Sequence, residues 1–338
     1  MRAIAIDAMG GDLAPDEVVK GVAAVSLQTD IQCVLVGDER RIQELLERAE
    51  YNPEHIDIHP AGEVIGMAED PKQAVKDKRD ASILVAARLV AEGRADALVS
   101  AGNTGAAVLA CARHFNVIPG IRKTALASVY PRQTEYPGQD HLALLLDVGA
   151  TIRCEALELV QFAIMGSAYA KRVSKVASPR VALLNMGSEP NKGSPELVQA
   201  HRVLQSLSGL NFIGNIEGND LVKGKADVIV CEGLVGNVAL KLLEGTAEVM
   251  MYVAGAAAGE SWRFRLGMRM MAGGVDRLRE LADYTTYGGA PILGFENIFI
   301  KAHGRSPARA VANAVKVAAK AARDGVPEEI AAGVAAMR

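Results

Sequence analysis

The chain has 338 residues, half of them hydrophobic, and carries a formal net charge of −3 at pH 7. That length suits one large α/β unit or two closely joined lobes. The 37 basic and 40 acidic residues are interspersed, so the basic stripe on which nucleic-acid affinity depends is missing, and small molecules or another protein are the expected partners.

The apolar run before Asp7 is too short for a signal-peptide core, and no run approaches the ~18 residues of a membrane span. A cytosolic location is expected, which leaves contact with a membrane surface open. Cys33, Cys111, Cys154 and Cys231 are widely separated, form no Cys-x-x-Cys pair and lie in or beside apolar runs. They read as buried thiols of a reducing compartment.

Short β-rich runs alternate with longer helical ones, the pattern of parallel β-α-β units. Strands are expected at Arg2 to Ile6, Gln32 to Val36, Ala97 to Ser100, Ala143 to Asp147, Arg180 to Asn185, Asn211 to Asn215, Asp227 to Cys231 and Ile298 to Ala302. In an open sheet of this kind the carboxyl ends of the strands share one edge, where ligands bind, so the polar turns that follow them are expected to converge there.

Those turns carry the chemistry. "DAMGGD" sets Asp7 and Asp12 on either side of Gly10 and Gly11; the aspartates can hold a metal, orient a substrate hydroxyl or amide, or simply accept backbone bonds within the turn, the commoner role. "SAGNTGA" leads into a helix, whose free N–H groups and partial positive charge suit an anion. Gly105 and its neighbour Gly102 would allow close approach there, and Ser100, Asn103 and Thr104 add donors. A tight strand-to-helix connection is the competing reading. "DVGA" carries Asp147, and "NMGSEPNKG" carries Asn185 and then Lys192, a point charge for phosphate or oxyanion or else a solvated lysine. "EGLVGN" repeats the grammar with Glu232 and, at the head of a helix, Asn237. In "KAHGRSP", His303 ends the last strand and can polarise or protonate a leaving group. Ser194-Pro195 and Ser306-Pro307 each read as a serine cap before a proline at the first helical position. The other histidines, His55, His59, His114, His141 and His201, show no ligand spacing, so no metal and no cofactor is expected.

Two stretches stand apart. Residues 255–285 hold the only tryptophan, five arginines and the methionines Met268, Met270 and Met271. With Arg265 and its neighbours flanking the apolar tip, this reads as a protruding helical hairpin for anionic lipid, for an acidic partner, or for a dimer interface. "DYTTYGGAPILGFENIFIKAHG" reads as a long irregular run, an interface or a wall of the site.

Taken in order, "DAMGGD", "SAGNTGA", "LLLDVGA", "ALLNMG" with its later lysine-glycine, "FIGNIEG", "GLVGNVALK", "YGGAPILG" and "KAHGRS" resemble the motifs of the bacterial phosphate acyltransferases, over nearly the whole chain. The resemblance implies a single Rossmann-like α/β/α sandwich over residues 1–338 with a mostly parallel sheet, related to phosphotransacetylases and isopropylmalate dehydrogenases. It implies transfer of a fatty acyl group from acyl-acyl carrier protein to inorganic phosphate for phospholipid synthesis, by a homodimer bound peripherally to the inner face of the membrane. On this reading Ser100, Asn103, Thr104 and Gly105 hold phosphate, and Lys192, Asn237 and His303 serve the reaction. Three departures are visible: Thr151 where the family has Asn, Glu232-Gly233-Leu234 where it has Asp-Gly-Phe, and Ser128 in place of a proline, assigned here to a loop. The competing readings are a phosphotransacetylase-like enzyme using acyl-coenzyme A, a non-catalytic membrane-associated scaffold and, more distantly, a metal-dependent decarboxylating dehydrogenase.

Overall fold

The computed structural model describes residues 3–134, 141–260 and 288–337, together with Arg263, Leu266, Gly267, Met270 and Gly273, which are helical. Among the described residues, eleven strands form one sheet in the order β3-β2-β1-β4-β11-β10-β5-β6-β9-β7-β8. They are β1 (Ala3–Asp7), β2 (Cys33–Gly37), β3 (Ile56–Pro60), β4 (Ala95–Ser100), β5 (Ala125–Pro131), β6 (Leu142–Leu146), β7 (Val181–Leu184), β8 (Phe212–Ile216), β9 (Val228–Val230), β10 (Ala290–Leu293) and β11 (Ile298–Lys301). The helices are α1 (Asp16–Gln28), α2 (Glu39–Leu46), α3 (Pro71–Asp77), α4 (Ser82–Ala91), α5 (Thr104–His114), α6 (Ala156–Arg172), α7 (Pro195–Ser206), α8 (Gly233–Glu260), α9 (Ala308–Arg323) and α10 (Val326–Ala335).

The central strands are apolar throughout because both faces are covered. Ile4, Ile6, Val99 and Ile300 point into a core packed by α1, α6 and α9, while Ala5, Leu98 and Phe299 point into a second core packed by α3, α4 and α5. The result is the three-layer α/β/α sandwich expected. Each Leu or Ile withdrawn from water this way contributes ~1.5–3 kcal/mol.

Pairing is parallel everywhere except in the three ladders made by β5 and β10. This corrects the expectation of a single functional edge. Because β10 opposes β11 and β5, and β5 opposes β6, the strands β6, β9, β7 and β8 run opposite to β1, β2, β3, β4 and β11. The carboxyl ends of the two halves therefore leave opposite edges of the sheet. The run "APILGFENIFIK" is the β10–β11 hairpin and not an irregular segment, and Ser128 sits within β5 and not in a loop. β3 escaped notice because its pattern, IDIHP, alternates polar residues on a sheet edge.

Ser194 caps α7 as expected, its Oγ accepting the Leu197 N–H at 3.3 Å. Ser306 does not cap α9: the helix begins at Ala308, whose N–H is taken by Glu17 Oε2 at 2.8 Å. All four cysteines are buried thiols. Among the described residues no helix is long and apolar enough to cross a membrane. Helix α8 runs into the stretch assigned to a hairpin. Met270 there is 82% exposed, whereas Arg265, Met268 and Met271 lie outside the described residues.

Candidate active site

The turns after β1 and β4 are fused through glycine. A Cβ on Gly10 would collide with the Asp7 carboxylate and fall 2.9 Å from the Gly102 Cα, so only two bare backbones fit. Gly11 takes φ +121°, a left-handed conformation that favours glycine, and the next N–H, of Asp12, reaches the Gly304 carbonyl at 2.7 Å. The "DAMGGD", "SAGNTGA" and "KAHGRS" turns are thereby tied into one wall.

Asp7 is buried beneath this wall and accepts the hydroxyls of Ser82 (2.6 Å) and Ser100 (2.7 Å). Burial raises its pKa above the usual carboxylate range, against the two serine bonds. Ser100 Oγ also accepts the Gly102 N–H at 3.0 Å. The Ser100 hydroxyl, expected to serve phosphate, is thus engaged with Asp7 and the Gly102 N–H in this structure. The Asn103 side chain is likewise engaged within the protein. Its Oδ1 accepts the Ala106 N–H as the cap of α5, and its Nδ2 donates to the Met67 and Glu69 carbonyls, each at 3.1 Å. Gly105 is small because a Cβ there would come within 2.8 Å of the Pro71 side chain. Of this quartet, only the exposed Thr104 faces the adjoining cavity.

That cavity, of about 450 Å³, lies over the antiparallel strands. From the first half come Asp12, Thr104, Lys301 and His303; from the second come Gly149 and Asn237. Leu126, Val129, Val148 and Leu240 form an apolar side, and Ser128, Lys241 and Glu244 also line it. The opening turns of α8 thus bridge the two edges that strand direction separates.

Asp147, fully buried, does not reach the cavity. It accepts the N–H groups of Leu126, Gly149, Ala150 and Thr151 and the Thr151 hydroxyl, all within 3.0 Å, and so shapes the turn after β6. Thr151 fits that role by giving a side-chain donor as well as a backbone one. Asn237 Nδ2 donates to the Val148 carbonyl at 3.0 Å, fastening α8 to the same turn. Asn185 folds its own loop, donating to the Lys192 carbonyl at 2.8 Å, but neither residue lines the cavity; Lys192 stands exposed. Glu232 lies outside the cavity lining too, and its backbone carbonyl accepts the Gly236 N–H at 2.9 Å.

His303 Nδ1 faces the Arg305 N–H at 3.2 Å and must accept from it. The neutral ring therefore carries its proton on Nε2. Burial, joined by the positive charges of Lys241 and Lys301, lowers the His303 pKa, which keeps the ring neutral near pH 7.

Sequence reasoning missed Lys301. It ends β11, is 7% exposed, and stands in register with Ser100 and, through it, with Asp7. Its Nζ donates to the Ala302 carbonyl. Burial pushes its pKa down to about 8, while the charges of Asp7 and Asp12 pull the other way. The visible signal was a lone lysine closing the otherwise apolar strand IFIK.

A family model described as "Fatty acid synthesis protein" matches residues 2–329. A "Phosphate acyltransferase" of Dictyoglomus turgidum is 41% identical over 332 residues, covering 98% of this chain and 97% of its own. Another of Desulfitobacterium hafniense is 45% identical over 331 residues, covering 98% and 96%. Among solved structures, a phosphotransacetylase from Streptococcus pyogenes matches with a TM-score of 0.65 at 17% identity, over 97% of this chain and 94% of that one. A branched-chain phosphotransacylase from Enterococcus faecalis V583 matches with a TM-score of 0.58 at 15% identity, over 95% and 99%. At such identities the structural likeness speaks for the fold alone, but the sequence matches span the whole cavity wall from Asp12 to Ser306: the chain belongs to the fatty acid synthesis protein family.

Proposed function

We propose that this protein transfers a fatty acyl group from the thioester of an acyl carrier protein to inorganic phosphate, supplying acyl phosphate for phospholipid synthesis. The observation that carries this reading is one cavity lined both by the polar Thr104, Asn237 and His303 and by the apolar Leu126, Val129, Val148 and Leu240, which suit phosphate and the start of an alkyl chain.

Phosphate at neutral pH is already a nucleophile, so the protein need not supply one. Its thiols are poor nucleophiles, because burial pushes Cys33 to about 12, Cys154 to about 11, and Cys111 and Cys231 well above the ordinary value. What the site contributes is alignment and relief of the repulsion between phosphate and the developing oxyanion. Thr104, at the positive end of α5, serves the phosphate. Asn237 and the Nε2–H of His303 serve the oxyanion, where removal of one donor costs ~2.7–4 kcal/mol of barrier. A neutral imidazole is too weak an acid to protonate a thiolate, so His303 is a hydrogen-bond donor here. Lys192 reaches the reacting oxygens only if its loop closes over the cavity.

The enzyme works in the cytoplasm at the membrane surface as a homodimer. Support for an apolar contact comes from α8, where Val238, Leu242, Val249, Met250 and Val253 are exposed at spacings that share a helical face. The test is chemical. The purified protein is incubated with phosphate and either long-chain acyl-acyl carrier protein or acyl-coenzyme A, and acyl phosphate is trapped with hydroxylamine. Product from the carrier protein is expected. Product from acyl-coenzyme A alone supports the phosphotransacetylase reading, and none from either defeats acyl transfer.

A further inference from the structure

Displacing an alkyl thiolate calls for an acid that Thr104, Asn237 and His303 do not provide. Hydrogen-bond donors stabilise the oxyanion, but sulfur must leave with an electron pair and be protonated. His303, whose charged form burial and the nearby lysines disfavour, is a poor source of that proton. On the cavity floor stands Lys301, which ends β11 beside His303 and is 7% exposed. A buried lysine is costly; the preceding residue on this face of β11 is Phe299, and the charges that favour the ammonium are those of Asp7 and Asp12.

We propose that Lys301 is a catalytic residue, the general acid that protonates the departing thiol sulfur as phosphate displaces it. The proposal rests on the acyl-transfer reading and deepens it. A phosphate oxygen of the hydrogen phosphate dianion bonds to the carbonyl carbon, the C–S bond breaks with its electron pair going to sulfur, and the Lys301 ammonium gives sulfur a proton. The proton still on phosphate becomes acidic once that phosphate is acylated, and it restores the ammonium. Hydrogen phosphate and thioester thus yield acyl phosphate dianion and thiol with no net change in protons.

The surroundings fit this acid. Asp7 from β1 and Asp12 from the following turn favour the ammonium, while burial disfavours it; among the described residues, His303, Lys241 and Glu244 are the other titratable groups on the cavity wall. The balance sets Lys301 at about 8, below the pKa of an alkyl thiol, so that proton transfer from the ammonium to the departing thiolate runs downhill. A fixed anchor for phosphate would be better served by arginine, whose charge does not titrate.

The experiment compares two donors with the same acyl chain, one a thioester of N-acetylcysteamine and one of 4-nitrothiophenol. The first releases a basic alkyl thiolate, whose departure a general acid assists, and the second a weakly basic aryl thiolate, whose departure it does not. Lys301→Ala is expected to lower kcat/KM for the alkyl thioester by ~100- to 10,000-fold and for the aryl thioester by less than about tenfold. Because the result is a ratio of two donors, it does not depend on the fraction of variant that folds. Lys301→Arg, which keeps the charge without a transferable proton, should fail to restore the alkyl rate. The wild type should lose alkyl-thioester activity as pH rises through about 8, while the aryl rate holds. Equal losses on both donors, or rescue by arginine, overturn the proposal. A wild type that makes acyl phosphate from neither donor, nor from acyl-acyl carrier protein, overturns the acyl-transfer reading itself.

Discussion

Asn103 offers the sharpest separation between a ligand-binding and an architectural role. Its side chain holds α5 through the Ala106 N–H and clamps the 67–69 segment through two carbonyls. Loss of an N-cap costs about 1 kcal/mol, and each net hydrogen bond about 1 kcal/mol more, reduced here by partial exposure. Asn103→Ala is therefore expected to destabilise the protein by about 2–3 kcal/mol. Asn103→Ser, which keeps the cap and loses the clamp, should recover roughly 1 kcal/mol of that. Urea unfolding read by circular dichroism measures both, with a shifted midpoint and an unchanged slope. KM for phosphate should rise by less than about tenfold in either variant, since no bond to phosphate is removed. The opposite pattern would refute the reasoning: an unchanged midpoint with KM for phosphate raised about 100-fold, the effect of a lost bond to a charged ligand.

Lys192→Ala tests whether the exposed loop reaches the chemistry. A drop in kcat of ~100-fold or more with bound phosphate places its ammonium on the reacting oxygens, and an unchanged kcat removes it from the machinery. Asp227, buried between Arg132 at 2.7 Å and Arg180 at 3.1 Å, tests pH linkage. Burial pushes its carboxyl up, but the Arg180 hydrogen bonds and the Arg132 charge outweigh that and hold it below the usual range. Its stabilisation is thus present above the unfolded pKa and lost as pH falls through the folded one. Asp227→Asn should cost ~3–5 kcal/mol near neutrality and progressively less below about pH 4; an equal penalty in denaturant titrations at both pH values would contradict this. At Gly236 a Cβ would strike the Asp147 carbonyl and lie 2.9 Å from Cys231 Sγ. Gly236→Ala should lower stability by ~1–3 kcal/mol, seen as a lower melting temperature, and a variant as stable as the parent would show that the α8 start can shift freely.

Much of the fold was legible because it rests on short-range physics. Apolar strands covered on both faces, glycine turns and the Ser194-Pro195 cap are local patterns, and they located eight of the strands and the turns that follow them. That Asn237, Thr104 and His303 stand at junctions of a strand and a helix was legible for the same reason, and the structure places all three on the lining of one cavity. Three things were decided only by tertiary structure. Strand direction reverses at β5 and β10, a matter of pairing between segments far apart in sequence, and this splits the turns between two edges. Side chains with several hydrogen-bonding options, Ser100, Asn103 and Asp147, were claimed by neighbours from distant segments, because a buried polar group must find a partner. Lys301 acquired its chemistry from burial beside Asp7 and Asp12, an environment that only the closed sheet creates; in the sequence it is one lysine among many, and in the fold it is a titratable acid facing the cavity.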